Sequence, residues 1–362
     1  MAKQSSLADF HKGNGAVFAE RDGWLLPLHF GDSNAEYTAV RSTCGFIDLS
    51  HRGLLQLTGP DRLSFLQGML SNDLKLLKPF EGHYATLLTQ QGKVIADVRV
   101  LCSLNSFYLD FWENLKERVI EHLNRYLVAD EVEIADRSDE YATLSVQGPQ
   151  TEALLQKLFG TTELPAQLMH HAMVNVDGTA ICVVRASHTG EAGFDLIAPK
   201  ADLRNLATRL KESGKPFSAA WVGEDAHNVL RVEAGIPRYG VDFSDDNLLL
   251  EVGIEDAYSY TKGCYLGQEV VERIRSRGHV NRKLCRLMIE GSQPAESGTP
   301  LYAAEKKVGQ ITSSVVSPGL RRVIALGYVH KDFWQPGTEL SIHRDGNKAG
   351  ATVTPVPFLT SP

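Results

Sequence analysis

Lys262-Gly263-Cys264-Tyr265-Leu266-Gly267-Gln268-Glu269 sets one thiol between two glycines, with an ammonium two residues before it and an amide and a carboxylate four and five residues after. Those residue types at that spacing suit redox or nucleophilic thiol chemistry. The pattern predicts a helix over Leu266 to Arg273, and a cysteine at a helix N-terminus beside a lysine is held partly as thiolate. Lys262 then lowers the thiol pKa, and Gln268 and Glu269 orient whatever Cys264 meets. The plainer reading is a tight turn at the two glycines carrying an incidental cysteine. The other cysteines weigh against it. Cys44, Cys102, Cys182 and Cys285 all lie in apolar or strand-like stretches, where cysteine behaves as a small hydrophobe. Five cysteines without a C-x-x-C pair give no disulfide framework and no zinc or cluster spacing, so no resident metal is expected. One thiol also falls short of the about four ligands that hold an iron–sulfur cluster.

Four other segments carry groups that do chemistry. Arg185-Ala-Ser-His-Thr-Gly-Glu191-Ala-Gly-Phe-Asp195 offers a cation, hydroxyls and a carboxylate around two glycines. A carboxylate accepts two parallel N–H bonds from a 2-amino-4-oxo-pyrimidine edge, which pterins and folates present; the alternative is a hairpin turn with a solvated Glu191. Arg231, near the end of a helix expected over Trp221 to Glu233, either forms a surface pair with Glu233 or faces a cleft and binds an anion. Asp97, in Gln91-Gly-Lys-Val-Ile-Ala-Asp97, shares a strand face with Ile95 and Arg99, either toward solvent or toward a cleft. Arg273 to Lys283 holds five Lys or Arg and no acid, and reads as a solvated basic face or as a contact for a phosphate, a polyanionic tail or RNA.

The elements that must position these groups are organised by an internal repeat. Leu54-Leu-Gln-Leu-Thr-Gly-Pro60 is an alternating strand closed by Gly-Pro, and a helix Asp61 to Leu70 follows. Ala142-Thr-Leu-Ser-Val-Gln-Gly-Pro149 and a helix Gln150 to Phe159 repeat the plan. Beyond each helix come a hairpin, a third strand and a second helix, giving repeat units about 54–127 and 142–210. Each is β-α-β-β-β-α, close to a split βαβ unit. The expected fold class is α+β, with a cleft between the paired units that suits a flat ligand. From 284 onward the pattern changes to short alternating strands, Leu284 to Glu290, Lys307 to Ser314, Arg322 to Val329, Glu339 to His343 and Ala349 to Val356. They predict a small β-barrel over 284–362, separated from a body over 1–283 by a linker at Val280–Lys283.

The 362 residues are 43% hydrophobic and 22% charged, an ordinary globular composition. A net charge of −7 speaks against broad nonspecific nucleic-acid binding, and no direct nucleic-acid partner is expected. No apolar run approaches the ~18 residues of a membrane span. The N-terminus shows neither a signal h-region nor the look of a transit peptide, so a cytoplasmic protein is expected.

The octamer at 262–269 resembles the signature of the YgfZ branch of the glycine-cleavage T-protein (GcvT-like) superfamily. The resemblance extends over nearly the whole chain. It includes Phe46-Ile-Asp-Leu-Ser-His-Arg-Gly, Thr58-Gly-Pro-Asp, Phe65-Leu-Gln-Gly, Ser71-Asn-Asp, Thr189-Gly-Glu-Ala-Gly-Phe, Leu230-Arg-Val-Glu-Ala-Gly, Val308-Gly-Gln-Ile-Thr-Ser and Ala325-Leu-Gly-Tyr-Val. It implies three lobes around an opening that holds tetrahydrofolate, with Glu191 as the pterin-binding glutamate and Arg185, Arg231 and Asp97 nearby. The Gly-Gly-Ile-x-Asp-Asp pattern of true T-proteins falls on Gly92-Lys-Val-Ile-Ala-Asp97, where one of the two acids remains. T-proteins also lack a cysteine at the place of Cys264. Both departures imply the YgfZ role, folate-dependent support of iron–sulfur cluster assembly or repair. The expected partners are iron–sulfur enzymes, including tRNA-modifying ones, or cluster-carrier proteins. The alternative is a folate-dependent aminomethyltransferase using Asp97, and a third is a scaffold for a cluster carrier.

Overall fold

The computed structural model describes residues 2–160, 163–278, 280–344, 347–355 and 358. The two sequence repeats fold into sheets with the same strand order. One runs Gly82–Leu88, Val94–Cys102, Phe107–Trp112, Arg52–Thr58, Glu133–Asp136. The other runs His171–Val176, Thr179–Arg185, Gly193–Pro199, Tyr141–Gln147, Gly45–Asp48, with Ala220–Trp221 added at its end. Place by place the hairpin, the third strand and the Gly-Pro strand correspond. The next place is exchanged. Gly45–Asp48 precedes the first repeat yet pairs antiparallel with Tyr141–Gln147 of the second, and Glu133–Asp136 precedes the second yet pairs with Arg52–Thr58 of the first. Each repeat thus covers the open edge of the other's sheet, an edge that would otherwise expose unpaired backbone.

The helices after the two Gly-Pro turns are Arg62–Met69 and Thr151–Phe159, and the units close on Lys116–Tyr126 and Leu203–Gly214. Leu154, Leu155, Leu158, Leu203, Leu206 and Leu210 form one core with Phe46, Leu144 and Leu196 from the strands beneath them. Burying each such side chain contributes about 1.5–3 kcal/mol. The helix Thr151–Phe159 stops at Gly160, whose φ of 65° is the left-handed cap that glycine adopts without strain. Between the sheets Leu54 and Leu101 meet Val184 and Ile197.

The last part of the chain is a closed barrel in the order Arg282–Ile289, Arg322–His330, Lys306–Ser317, Pro300–Ala303, Glu339–Arg344, Asn347–Thr354. Five strands are the expected alternating segments; Pro300–Ala303 is too short a run to announce itself. Val356, the expected end of the last strand, lies outside the described residues. Leu287, Ile311, Val323 and Ile342 fill the interior, and closure leaves no open edge.

The chain forms two compact units. One takes 1–87, 96–227 and 256–265; the other takes 88–95, 228–255 and 266–362. The linear boundary expected near 283 marks where the barrel strands begin, whereas three upstream segments group with the barrel. Hydrogen bonding gives the reason: Val94 N donates to Asn247 O, and Arg231 reaches Asp242 and the barrel residue Ser313. Among the described residues no helix is long and apolar enough to cross a membrane.

Candidate functional site

All nine residues of the strand Val94–Cys102 are buried, so Asp97 and Arg99 do not face solvent. Arg99 donates to Asp110 on the neighbouring strand and to Asp195 on the other sheet. Asp110 also takes Arg52, and Asp195 takes the His188 ring at 3.0 Å. Asp110 and Asp195 sit on corresponding strands of the two repeats, two places apart in register, so the cation of one repeat is gripped by a carboxylate from each. Burial would raise the Asp195 pKa, but His188 and Arg99 hold it well below the usual carboxylate range. Asp97 shifts upward, because burial outweighs its hydrogen bond from Tyr84 and the nearby Arg52 and Arg99. Its Oδ2 accepts from the Tyr84 hydroxyl at 2.5 Å. Its Oδ1 is buried and accepts nothing among the described residues, which leaves one acceptor for a ligand N–H.

Glu191 sits on the loop between Thr179–Arg185 and Gly193–Pro199. Arg41, from the helix Ser33–Ser42, donates to Glu191 Oε1 at 2.7 Å and to Thr189 O at 3.3 Å. Gln147, fully buried at 0% exposure, fixes the rest of the loop. Its Oε1 accepts from His188 N and the Thr189 hydroxyl, and its Nε2 donates to Ala186 O and Ser145 Oγ. The carboxylate is thus oriented by a cation rather than solvated. Its loop reaches Asp97's strand through His188, whose ring meets Arg99 Nη1 at 3.3 Å.

The thiol segment is anchored on both sides of its exposed part. Lys262 is 6% exposed and its ammonium donates to three carbonyl oxygens: Gln67 and Leu70 at the end of the helix Arg62–Met69, and Asn72 just beyond. Burial pulls its pKa down to about 8. Tyr265 is buried, with Lys262 Nζ 5.0 Å from its ring centre. Between these anchors Cys264 is exposed. The sequence assigned Lys262 to the thiol; the structure spends its donors on the backbone, so its role here is to hold the loop. Asn72 Nδ2 also donates to Tyr84 O, which ties this loop to the strand whose tyrosine holds Asp97. Lys262→Met is expected to speed amide hydrogen exchange across 256–265 by about tenfold or more, since it leaves three carbonyls without their donor. Lys262→Arg should recover part of the protection. Unchanged exchange in the methionine variant would contradict the clamp.

Arg185 does not join this group. It reaches Pro165 O at 3.3 Å, lies 5.2 Å from the Phe194 ring centre and is 3.8 Å from Glu152. Arg231, in the barrel-bearing unit, is 3% exposed and engages Asp242, Ile236 O, Asn228 and Ser313. It is therefore neither a surface partner of Glu233 nor an open anion site; Glu233 accepts from Ser317. The expected helix at 266 begins at Gln268, with Gly267 before it, so the thiol lies upstream of the first turn. Gln268 is half-buried and Glu269 is exposed and paired with Arg273. In the basic segment Arg275 pairs with Glu272 and Arg282 with Glu251. His279 and the Arg277 side chain lie outside the described residues. Tyr84, Arg41, Gln147 and His188 were not singled out from sequence. Gln147 had a signal, since it stands directly before the second Gly-Pro; the others had none.

Comparison with known proteins matches residues 7–262 to the GCVT N-terminal domain and residues 282–359 to the glycine cleavage T-protein C-terminal barrel domain. An aminomethyltransferase of Rubrobacter xylanophilus is 32% identical, over 98% of this chain and 94% of the relative. One from Desulfitobacterium hafniense is 31% identical over 98% of each. The crystal structure of the glycine cleavage system aminomethyltransferase T from Bartonella henselae superposes with a TM-score of 0.92 at 25% identity, covering 99% of this chain and 98% of that one.

Proposed function

The chain belongs to the glycine cleavage T-protein family, and on that premise we propose that it binds tetrahydrofolate and supports iron–sulfur cluster assembly or repair, with Cys264 as its reactive thiol. The observation that carries the reading is Cys264 itself, exposed between two buried anchors. A packing cysteine would be enclosed, as Cys44 and Cys102 are. A thiol held out on a clamped loop is accessible to a partner protein at little ordering cost. Any iron contact it makes is shared with that partner, because one thiol supplies a quarter of the about four ligands a cluster takes.

The residues present fit a reduced folate. Glu191, aligned by Arg41, is the acceptor for the pterin's amino-pyrimidine edge. The unpartnered Oδ1 of Asp97 accepts an N–H. When bound, tetrahydrofolate supplies two amine nitrogens that carry one-carbon units. What this chain contributes is a carboxylate pair in fixed orientation and the charge network of Arg99, Asp110, Asp195 and His188 that ties Asp97's strand to the loop and strand around Glu191.

A second reading, aminomethyl transfer to tetrahydrofolate, is favoured by the names of the curated relatives. Against it stands Ala96 beside Asp97, where the T-protein pattern has two acids in a row. The deciding experiment is complementation of a cell lacking the native protein, reading iron–sulfur enzyme activities. Wild type should restore them and Cys264→Ala should not, while both bind tetrahydrofolate equally. Full restoration by Cys264→Ala would remove the thiol role. Turnover of an aminomethyl donor that needs Asp97 but not Cys264 would establish the transferase instead.

A further inference from the structure

The barrel-bearing unit contains a cation that nothing in the folate reading uses. Arg286 lies on the barrel strand Arg282–Ile289, on the outer face, since the next residue, Leu287, is 0% exposed in the interior. Its guanidinium makes one contact among the described residues, a 3.4 Å bond from Nη2 to Gly235 O. Its Nε is buried and donates to nothing among the described residues. No carboxylate pairs with it among the described residues, and burial lowers its pKa. A buried lysine escapes such a position by losing its proton, but a guanidinium stays charged and needs an anion.

Two further features converge on the same place. Arg286 is the direct cross-strand partner of Thr354, and such partners carry their side chains side by side on one face. The Thr354 hydroxyl oxygen is also buried without a partner among the described residues. Opposite them Gly235, at φ 70°, leaves room that no other residue would: a Cβ there would lie 2.0 Å from Arg286 Nε. The guanidinium therefore lies flat against a glycine turn, with its Nε edge and a threonine hydroxyl unsatisfied together.

We propose that Arg286, Thr354 and the Gly235 turn form a binding site for a carboxylate. Nε–H and Nη–H present two parallel donors matched to the two oxygens of a planar monoanion, and the threonine hydroxyl adds a third. One positive charge suits a carboxylate better than a phosphate dianion. Its source is either a free organic acid or an acidic side chain of a partner protein. The site is independent of Glu191.

The test uses the full chain, with sodium acetate and sodium glutarate as probes against sodium chloride at equal ionic strength. Thermal unfolding and calorimetric titration are read. Wild type and Glu191→Ala should bind both acids saturably and gain melting temperature alike. Arg286→Met should lose the response entirely, yet melt higher than wild type without any acid, because an uncompensated charge has been removed. Thr354→Val should bind about fivefold more weakly, the loss of one hydrogen bond. If a peptide carrying one acidic side chain binds while acetate and glutarate compete with it, the partner source is favoured; if only the free acids bind, the small-molecule source is. No saturable response to any carboxylate, an undiminished response in Arg286→Met, a lower acid-free melting temperature in that variant, or a preference for inorganic phosphate would each overturn the proposal.

Discussion

Tetrahydrofolate should bind the Glu191→Ala protein at least a hundredfold more weakly than wild type. Two charge-assisted hydrogen bonds to the pterin edge would go, each contributing about 1.5–3 kcal/mol, and tenfold in affinity corresponds to about 1.4 kcal/mol. The loss is not only of an acceptor. Arg41, now paired with Glu191 at 2.7 Å, would lose that carboxylate beside the site. Glu191→Gln keeps an oxygen for Arg41 and should fall between the two. The fold should be little changed, because Gln147 holds the loop through His188 and Thr189 without the glutamate. Calorimetric titration of tetrahydrofolate into the three proteins decides it. Equal binding by wild type and Glu191→Ala would move the folate away from this loop, and no binding by wild type would remove the reading altogether.

Arg99→Met should be the most destabilising single change in the repeat-bearing unit. It leaves Asp110 with Arg52 and Asp195 with His188 as their remaining partners, at side chains 4% and 1% exposed, and breaking one partner of a buried ion pair costs about 3–5 kcal/mol. A typical domain holds only about 5–15 kcal/mol in all. The pH dependence carries a sign. Asp195 has its pKa depressed in the fold, so the stability it contributes is present above the ordinary carboxylate range and is lost as pH falls toward the folded value. Without Arg99 part of that depression disappears, His188 supplying the rest, and the Asp195 carboxylate is more readily relieved by protonation. The gap between wild type and Arg99→Met should therefore narrow between pH 7 and pH 4.5, as read by urea unfolding at each pH. If the methionine variant does not fold at pH 7, adding Asp110→Asn and Asp195→Asn together should restore a cooperative transition. A gap that is constant with pH would mean the network is packed but not electrostatically coupled.

Much of the architecture is legible without coordinates. Strand alternation, the two Gly-Pro turns and the leucines of the following helices mark both repeats because these are local signals with periods of about two and 3.6 residues. The barrel announces itself the same way, save for Pro300–Ala303. The exchange of Gly45–Asp48 and Glu133–Asp136 between sheets has no local signal: each is a short strand whose partner is chosen by fit to a distant edge.

The sequence by itself marked side chains whose types could carry chemistry, and showed that Cys264 alone of five cysteines lacks an apolar setting. Only the tertiary structure decided what each charged group does. Lys262 turned from a neighbour of the thiol into a clamp on carbonyls 190 to 195 residues away. Arg231 became an internal tie to Asp242, and Arg99 became the bond to Asp195, 96 residues along the chain. The physical reason is common to all three. A charge is satisfied by whatever opposite group or dipole burial brings beside it, and that neighbour is set by chain folding over long separations rather than by the residues next to it in sequence. The thiol at Cys264 was read from its own octamer; the anchors that leave it exposed came from the fold.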